Sequence, residues 1–254
     1  MIRIILPEEP TILATEGTKR TREDCEAYDA RPNDSFASVF VVLEHIYRAE
    51  EVKRALLGAQ FDKCCYCERK MGASSPGDIE HYRPKKRVRQ DMASKEEKRG
   101  YYWLAYSWSN LLVACEKCNR EWKRTQFPLA KPERRARCHH DRIEEEEPLI
   151  VHPALEDPRR HIRFRKDVPE GLTLVGITTI RVLGLASRAE LVDVRVKKFR
   201  QLARLLEGYE ISKLTADPMW SAWRADVRRT LEEEMLPDSE FSAMATDLLK
   251  TAFD

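Results

Sequence analysis

Apolar positions recur at helical intervals along most of the chain. Over residues 35–58 ("SFASVFVVLEHIYRAEEVKRALLG") they fall at mixed helical spacings and stop at a glycine, which predicts a helix with Gly58 as its C-cap. The clearest helix opens on Ser187 and Glu190, a capping box. Leu191, Val192, Val196, Phe199, Leu202, Ala203 and Leu206 then form a stripe that Gly208 closes. Two more amphipathic helices are expected over residues 219–235 and 239–253, the second with Phe241, Met244, Ala245, Leu248 and Ala252 on one side. Such stripes are core-packing faces first and partner-docking faces second. Residues 73–78, "ASSPGD", break any helix, and "KPERRAR" with "EEEEP" (144–148) reads as a solvated connector. The organisation expected is an N-terminal helical segment (1–60), a central unit (61–131) and a mainly helical C-terminal region (132–254) open to partner docking.

Composition narrows the class. The 254 residues are 35% charged and 42% hydrophobic, with a mean hydropathy of −0.58, as in a helix-rich chain that dissolves in water. No run approaches the roughly 20 apolar residues that span a bilayer. The start, "MIRIILPEEP", turns acidic and proline-rich too soon for a signal peptide, so a cytoplasmic location with reduced thiols is expected. The net charge of +2 hides an asymmetry: residues 80–137 hold 16 Lys and Arg against 7 Asp and Glu. A basic block of this kind is the footprint of a polyanion partner, or else a solvated face.

Seven cysteines fit poorly to a disulfide framework, but four of them answer each other. Cys64 and Cys67 form one CxxC pair, and Cys115 and Cys118 a second after 47 intervening residues. Each pair offers two thiolates at a bite suited to one tetrahedral zinc, with bonds of about 2.3 Å. Four thiolates leave no open position, so this zinc is expected to fold the chain rather than react. Cys65 is then a small buried filler, and Cys25 and Cys138 are isolated. His139, His140, His152 and His161 lack metal-ligand spacing to a carboxylate and read as surface or locally hydrogen-bonded residues. Tyr101, Tyr102, Trp103, Tyr106, Trp108 and Trp122 read as packing around the zinc, with base stacking as the alternative.

Between the knuckles stands "GDIEHYRPKKR", where Glu80-His81 with Arg83 and Lys85 makes a compact acid–base and phosphate-contact set. With "CCYCE", "YYWLAYSWSNLLVACEKCNREWK" and "FPL", the stretch resembles an HNH endonuclease in its His–Asn–Asn form. More narrowly, it resembles the HNH subunit of Septu-type and retron-linked antiphage systems. The likeness is good over residues 61–164 and weak over the C-terminal helices.

The resemblance implies a mainly α protein with a small ββα-metal (HNH) core, stapled by the four-cysteine zinc. Glu80 and His81 would lie on its first strand and Asn119 at the start of its helix. His81 would be the general base, and Glu80 and Asn119 would hold one Mg2+ or Mn2+. Asp78, on the same strand face, would share or replace the role of Glu80, since many HNH sites carry Asp where this chain has Glu. Asn110 would hold the loop and the His81 ring, while Arg83 and Lys85 would hold phosphates. The implied partners are nucleic acid, with DNA favoured and RNA possible, and an ABC/SMC-like ATPase. A competing reading is a zinc-stapled binding or scaffold subunit without catalysis. Glu80 speaks against it, because a carboxylate facing phosphates repels them.

Overall fold

The computed structural model describes residues 1–32, 34–72, 76–215 and 217–250. About half of the chain is helical, and the described residues form two small antiparallel sheets. Residues 73–75 of the expected turn and Ala252 of the expected last helix lie outside the described residues.

The N-terminal part consists of α1 (Thr18–Ala30), α2 (Asp34–Val39), α3 (Glu44–Tyr47) and α4 (Glu50–Ala59). The helix expected over residues 35–58 is therefore broken twice. Val41 and Val42 lie in the first break, where β-branched side chains favour extended backbone. There Leu43 N donates to the Tyr106 hydroxyl at 2.8 Å instead of continuing a helix. Gly58 lies inside α4 and does not cap it.

Next comes the hairpin that carries the central motif. Strand β1 (Asp78–His81) pairs antiparallel with β2 (Leu111–Ala114), setting Glu80 opposite Leu112 and His81 opposite Leu111. All of β2 is buried, as a strand packed on both faces requires. Leu112 and Ala114 face a core shared with the C-terminal helices, whereas Leu111 and Val113 face one built from Tyr47, Val52 and Leu56. A seven-residue wide helical turn, Lys117–Lys123, follows β2.

The C-terminal part comprises the hairpin of β3 (Ile162–Arg165) and β4 (Val168–Gly171), then α5 (Leu174–Val182), α6 (Ala189–Ser212), α7 (Pro218–Glu234) and α8 (Ser242–Leu249). The stripe on α6 packs as expected, with Leu191 and Leu202 in the core and Phe199 and Leu206 against it. Its expected ends do not form. Arg188 stands at the N-cap without a side-chain cap, and Gly208 lies inside the helix. That glycine serves close approach: a Cβ there would stand 3.2 Å from the Trp223 ring of α7. Among the described residues no helix is long and apolar enough to cross a membrane.

The stretch 144–148 is more than a solvated connector. Glu146 is buried and accepts from the Tyr101 hydroxyl (2.7 Å), Ala136 N (2.9 Å) and Arg83 Nε (3.0 Å). The chain needs those donors because a carboxylate cannot be buried unpaired.

One buried ionic knot ties the ends of the chain to its centre. Glu68 is paired with the Met1 amine and with Lys63 Nζ (3.4 Å), and accepts from the Ser242 hydroxyl (3.1 Å) and Ala243 N (3.2 Å) of α8. Burial pushes its pKa up, but the Met1 amine and Lys63 outweigh it and hold the carboxyl at about 2. Removing one partner of such a knot strands the other charges, at about 3–5 kcal/mol. Glu68→Ala should therefore lower the stability read by urea unfolding by about that much at pH 7. Because the folded pKa lies below the ordinary 4.5, wild type keeps the full contribution above pH 4.5 and loses it as pH falls toward 2. The gap between wild type and variant should narrow over that window; a constant gap would refute the assignment.

Candidate functional site

Local backbone chemistry brings the two cysteine pairs together. Cys65 N donates to Val113 O at 3.0 Å, on the edge of β2 that β1 leaves free. Gln60 occupies the same edge, donating to Val113 O and accepting from Val113 N, both at 2.8 Å. The first knuckle is thus docked on the strand that leads into the second. The Sγ atoms of Cys64, Cys67, Cys115 and Cys118 lie within 4.8 Å of one another, with Cys67 and Cys115 3.8 Å apart. Tetrahedral bonds of about 2.3 Å place sulfurs about 3.8 Å apart, so the cluster fits one zinc ion. Three of the four thiols are buried and all seven cysteines are free of disulfides. Cys65 is buried and outside the cluster, as its spacing implied.

A buried cation flanks the sulfurs. Arg188 Nη2 donates to Cys118 Sγ at 3.3 Å, and its guanidinium lies 5.9 Å from the Trp122 ring centre. Burial works against this charge, but the cysteine sulfurs beside it hold its pKa above the ordinary arginine value. A four-thiolate zinc carries two net negative charges, and Arg188 offsets one of them.

On the other side of the hairpin lies an open cleft of about 360 Å³ at the end of β1. It brings together Asp78, Glu80, His81, Lys85 and Asn119 from the residues singled out in the sequence. Five more cations line it besides Lys85: Arg48, Lys86, Arg87, Arg120 and Arg124. The histidine is held by its surroundings. His81 Nε2 stands 2.9 Å from Ala105 O, a pure acceptor, so Nε2 carries the proton and Nδ1 the lone pair. Tyr47 packs edge-on against the ring at 4.8 Å. Burial, and next the Lys85 charge, push the pKa of His81 well below its ordinary value. These surroundings favour the neutral ring, and Lys85 Nζ stands 3.1 Å from its Nδ1.

Glu80 is buried and faces Lys123, a fully buried residue the sequence reading passed over. Lys123 Nζ stands 2.6 Å from Glu80 Oε1 and donates to His81 O at 3.0 Å. Glu80 Oε1 is buried against the Lys123 ammonium, and the residue itself lines the cleft wall. Burial raises the Glu80 pKa, and Lys123 counters that rise. Lys123 follows Asn119 by four residues in the same helical turn, a spacing that could have linked it to the cleft residue Asn119. Asp78 is engaged: both its oxygens accept from Arg120 at 2.7 Å.

The two remaining candidates lie off the cleft. Arg83 turns inward, donating to Glu146 and lying over the Tyr82, Tyr101 and Phe127 rings. The expectation that it grips phosphate is corrected here, since its guanidinium neutralises a buried carboxylate. Asn110 is bonded to two loop segments: Oδ1 accepts from Arg83 N (2.8 Å), and Nδ2 donates to Arg83 O (3.1 Å) and Leu104 O (3.0 Å). It does not bond the His81 ring. That task falls to Ala105 O, one residue beyond the carbonyl that Asn110 fixes.

Fold and site together define a chain in which a four-cysteine cluster anchors a β-hairpin, with a basic cleft at its end holding a buried Glu-His pair. The chain is similar to the Septu protein PtuB of Bacillus mycoides (strain KBAB4), at 34% identity over 176 residues. That alignment takes in 66% of this chain and 59% of the relative, less than two thirds of its length. The Septu protein PtuB of Bacillus thuringiensis is 27% identical over 256 aligned positions, 98% of this chain and 82% of that protein. A 147-residue stretch, 56% of the chain, is also 27% identical to 20% of the Septu protein PtuA of Bacillus mycoides (strain KBAB4). No family model matches the chain, and no solved structure matches it.

Arg188 gives the cluster a test of its own. Partners outside the ligand sphere are commonly worth 10–100-fold in metal affinity. Arg188→Gln should weaken zinc retention by about that factor in competition with a chelator, while Cys118→Ser should abolish it. An unchanged chelator competition curve for Arg188→Gln would show that its charge does nothing for the metal.

Proposed function

We propose that the chain is a metal-dependent endonuclease of HNH type that hydrolyses phosphodiester bonds of nucleic acid, with DNA favoured over RNA. It acts as the nuclease subunit of an antiphage defence complex in the cytoplasm, alongside an ABC/SMC-like ATPase. The observation that carries the chemistry is the His81 ring: its tautomer is fixed by Ala105 O, it is neutral, and its Nδ1 opens on a basic cleft beside Glu80 and Asn119. The order of strand, strand and short helix around that cleft supports the same reading. Similarity to proteins named Septu PtuB and PtuA supports a place in such a defence system and a partner within it.

In this mechanism substrate phosphate enters among Arg48, Lys85, Lys86, Arg87 and Arg124. Lys85 leaves His81 Nδ1 for a phosphate oxygen, which frees the base. Water attacks phosphorus as Nδ1 takes its proton, and the P–O3′ bond breaks to release the 3′ oxygen. Glu80 and Asn119 would hold a Mg2+ or Mn2+ ion, which when bound offsets the charge on the pentacovalent centre and on the leaving oxygen. Oxygen donors of this kind suit a hard dication, and Glu80 and Asn119 line the same cleft, which is the observation that fits it.

One observation favours a second reading, a nucleic-acid-binding subunit without catalysis. Lys123 compensates Glu80 from inside the protein, so the carboxylate does not repel phosphate as a free one would. Cleavage of supercoiled DNA and of total tRNA with Mg2+ or Mn2+, alone and with the neighbouring ATPase, separates the two. His81→Ala should cut at least about 10²–10⁴-fold more slowly while keeping its zinc and its DNA affinity. A zinc-loaded wild type that binds DNA yet cuts neither polymer under any of these conditions would leave the binding reading standing.

A further inference from the structure

The fold makes one more cluster of ligating groups, 110 residues apart in sequence and away from both the cysteines and the cleft. Asp29, on the last turn of α1, meets His139 and His140. His140 Nε2 lies 2.8 Å from Asp29 Oδ1, and His139 Nε2 lies 3.6 Å from Oδ2. The three ligand atoms stand within 4.8 Å of one another. We infer that Asp29, His139 and His140 form a second metal site, which takes a divalent transition ion of the zinc type and staples α1 to the segment beyond the basic block.

Ligand spacing supports it. Bonds of about 2.0–2.1 Å around a tetrahedral zinc put neighbouring N and O donors about 3.4 Å apart, between the two distances observed. The histidine rings are aimed by the backbone. Asp141 Oδ2 accepts from Arg137 N (2.7 Å) and Cys138 N (3.1 Å), and this turn lays the consecutive rings side by side with centres 3.9 Å apart. In an extended chain successive side chains point to opposite faces, so two neighbouring imidazoles directed at one carboxylate need such a turn.

His139 also has the outer support that ligating histidines use. Its Nδ1 stands 2.7 Å from the hydroxyl of Tyr102, which is buried and stacked on Tyr28 at 5.2 Å. When Nδ1–H donates to that oxygen, Nε2 presents its lone pair toward Asp29. Imidazole with carboxylate selects zinc-like ions over the hard cations expected at Glu80. Their spacing in sequence does not announce a metal, because the carboxylate comes from α1, 110 residues earlier.

The test is zinc uptake by the full chain with its four-cysteine site already filled. Equilibrium dialysis against Zn2+ in excess Mg2+, which keeps zinc out of the Glu80 cleft, with zinc counted by mass spectrometry, should give two equivalents for wild type and one for Asp29→Asn and for His140→Asn. Asp29 and His140 have side chains 50% and 63% exposed, so both variants should fold, and the retained equivalent checks that they do. Added zinc should also raise the melting temperature of wild type and not of the variants. A wild type that stops at one equivalent would overturn the site, leaving an ordinary His–Asp pair. A second equivalent taken up equally by the variants would overturn it too, as adventitious binding.

Discussion

The free edge of β2 is the constraint on which the rest of the molecule depends. Val113 gives its N–H and C=O outward to Gln60 and Cys65, so the first cysteine knuckle is bonded to the strand that feeds the second. Backbone hydrogen bonds alone hold two such segments weakly, each contributing about 1 kcal/mol net. One ion bound by the four thiolates would hold them far more strongly, because a structural metal contributes its binding energy to folding. With the knuckles fixed, β2 is fixed, and β1 has one register in which Glu80 and His81 reach the cleft. A slip of one residue would turn every side chain of β1 to the opposite face.

Much of this was legible because metal ligation is a local rule. The spacing of Cys64, Cys67, Cys115 and Cys118 could be read directly, whereas the strand carrying Glu80 and His81 was implied only by the resemblance to HNH endonucleases. The long C-terminal stripes were equally plain, since α6 and α7 repeat their apolar positions over several turns. What escaped reading was set by partners distant in sequence. The helix over residues 35–58 breaks where Tyr106 captures Leu43 N, and Arg83 turns inward because Glu146 waits 63 residues on. Arg188 reaches Cys118 across 70 residues, and nothing in its own neighbourhood announces it. Gly58 and Gly208 carried the expected signal for helix ends, yet both lie inside helices, one of them to admit the Trp223 ring.

Charge compensation in the cleft follows from the same packing. The hairpin buries Glu80, and an ionised carboxylate without a partner is too costly to bury, so the chain supplies Lys123 from the next helical turn. The His81 carbonyl accepts from the same ammonium, so one lysine both balances Glu80 and fixes the backbone at the histidine. That leaves the far side of the cleft with only exposed or half-buried cations, the arrangement expected of a surface that meets a polyanion. Lys85 is the exception among them. Burial holds its pKa down to about 8, and its ammonium lies against both the Tyr47 ring and His81 Nδ1. A phosphate in the cleft competes for that ammonium as a better acceptor than a neutral imidazole, because a charge-assisted hydrogen bond is about twice as strong. A polyanion in the cleft would therefore draw Lys85 away from Nδ1 and free the base that the proposed hydrolysis requires.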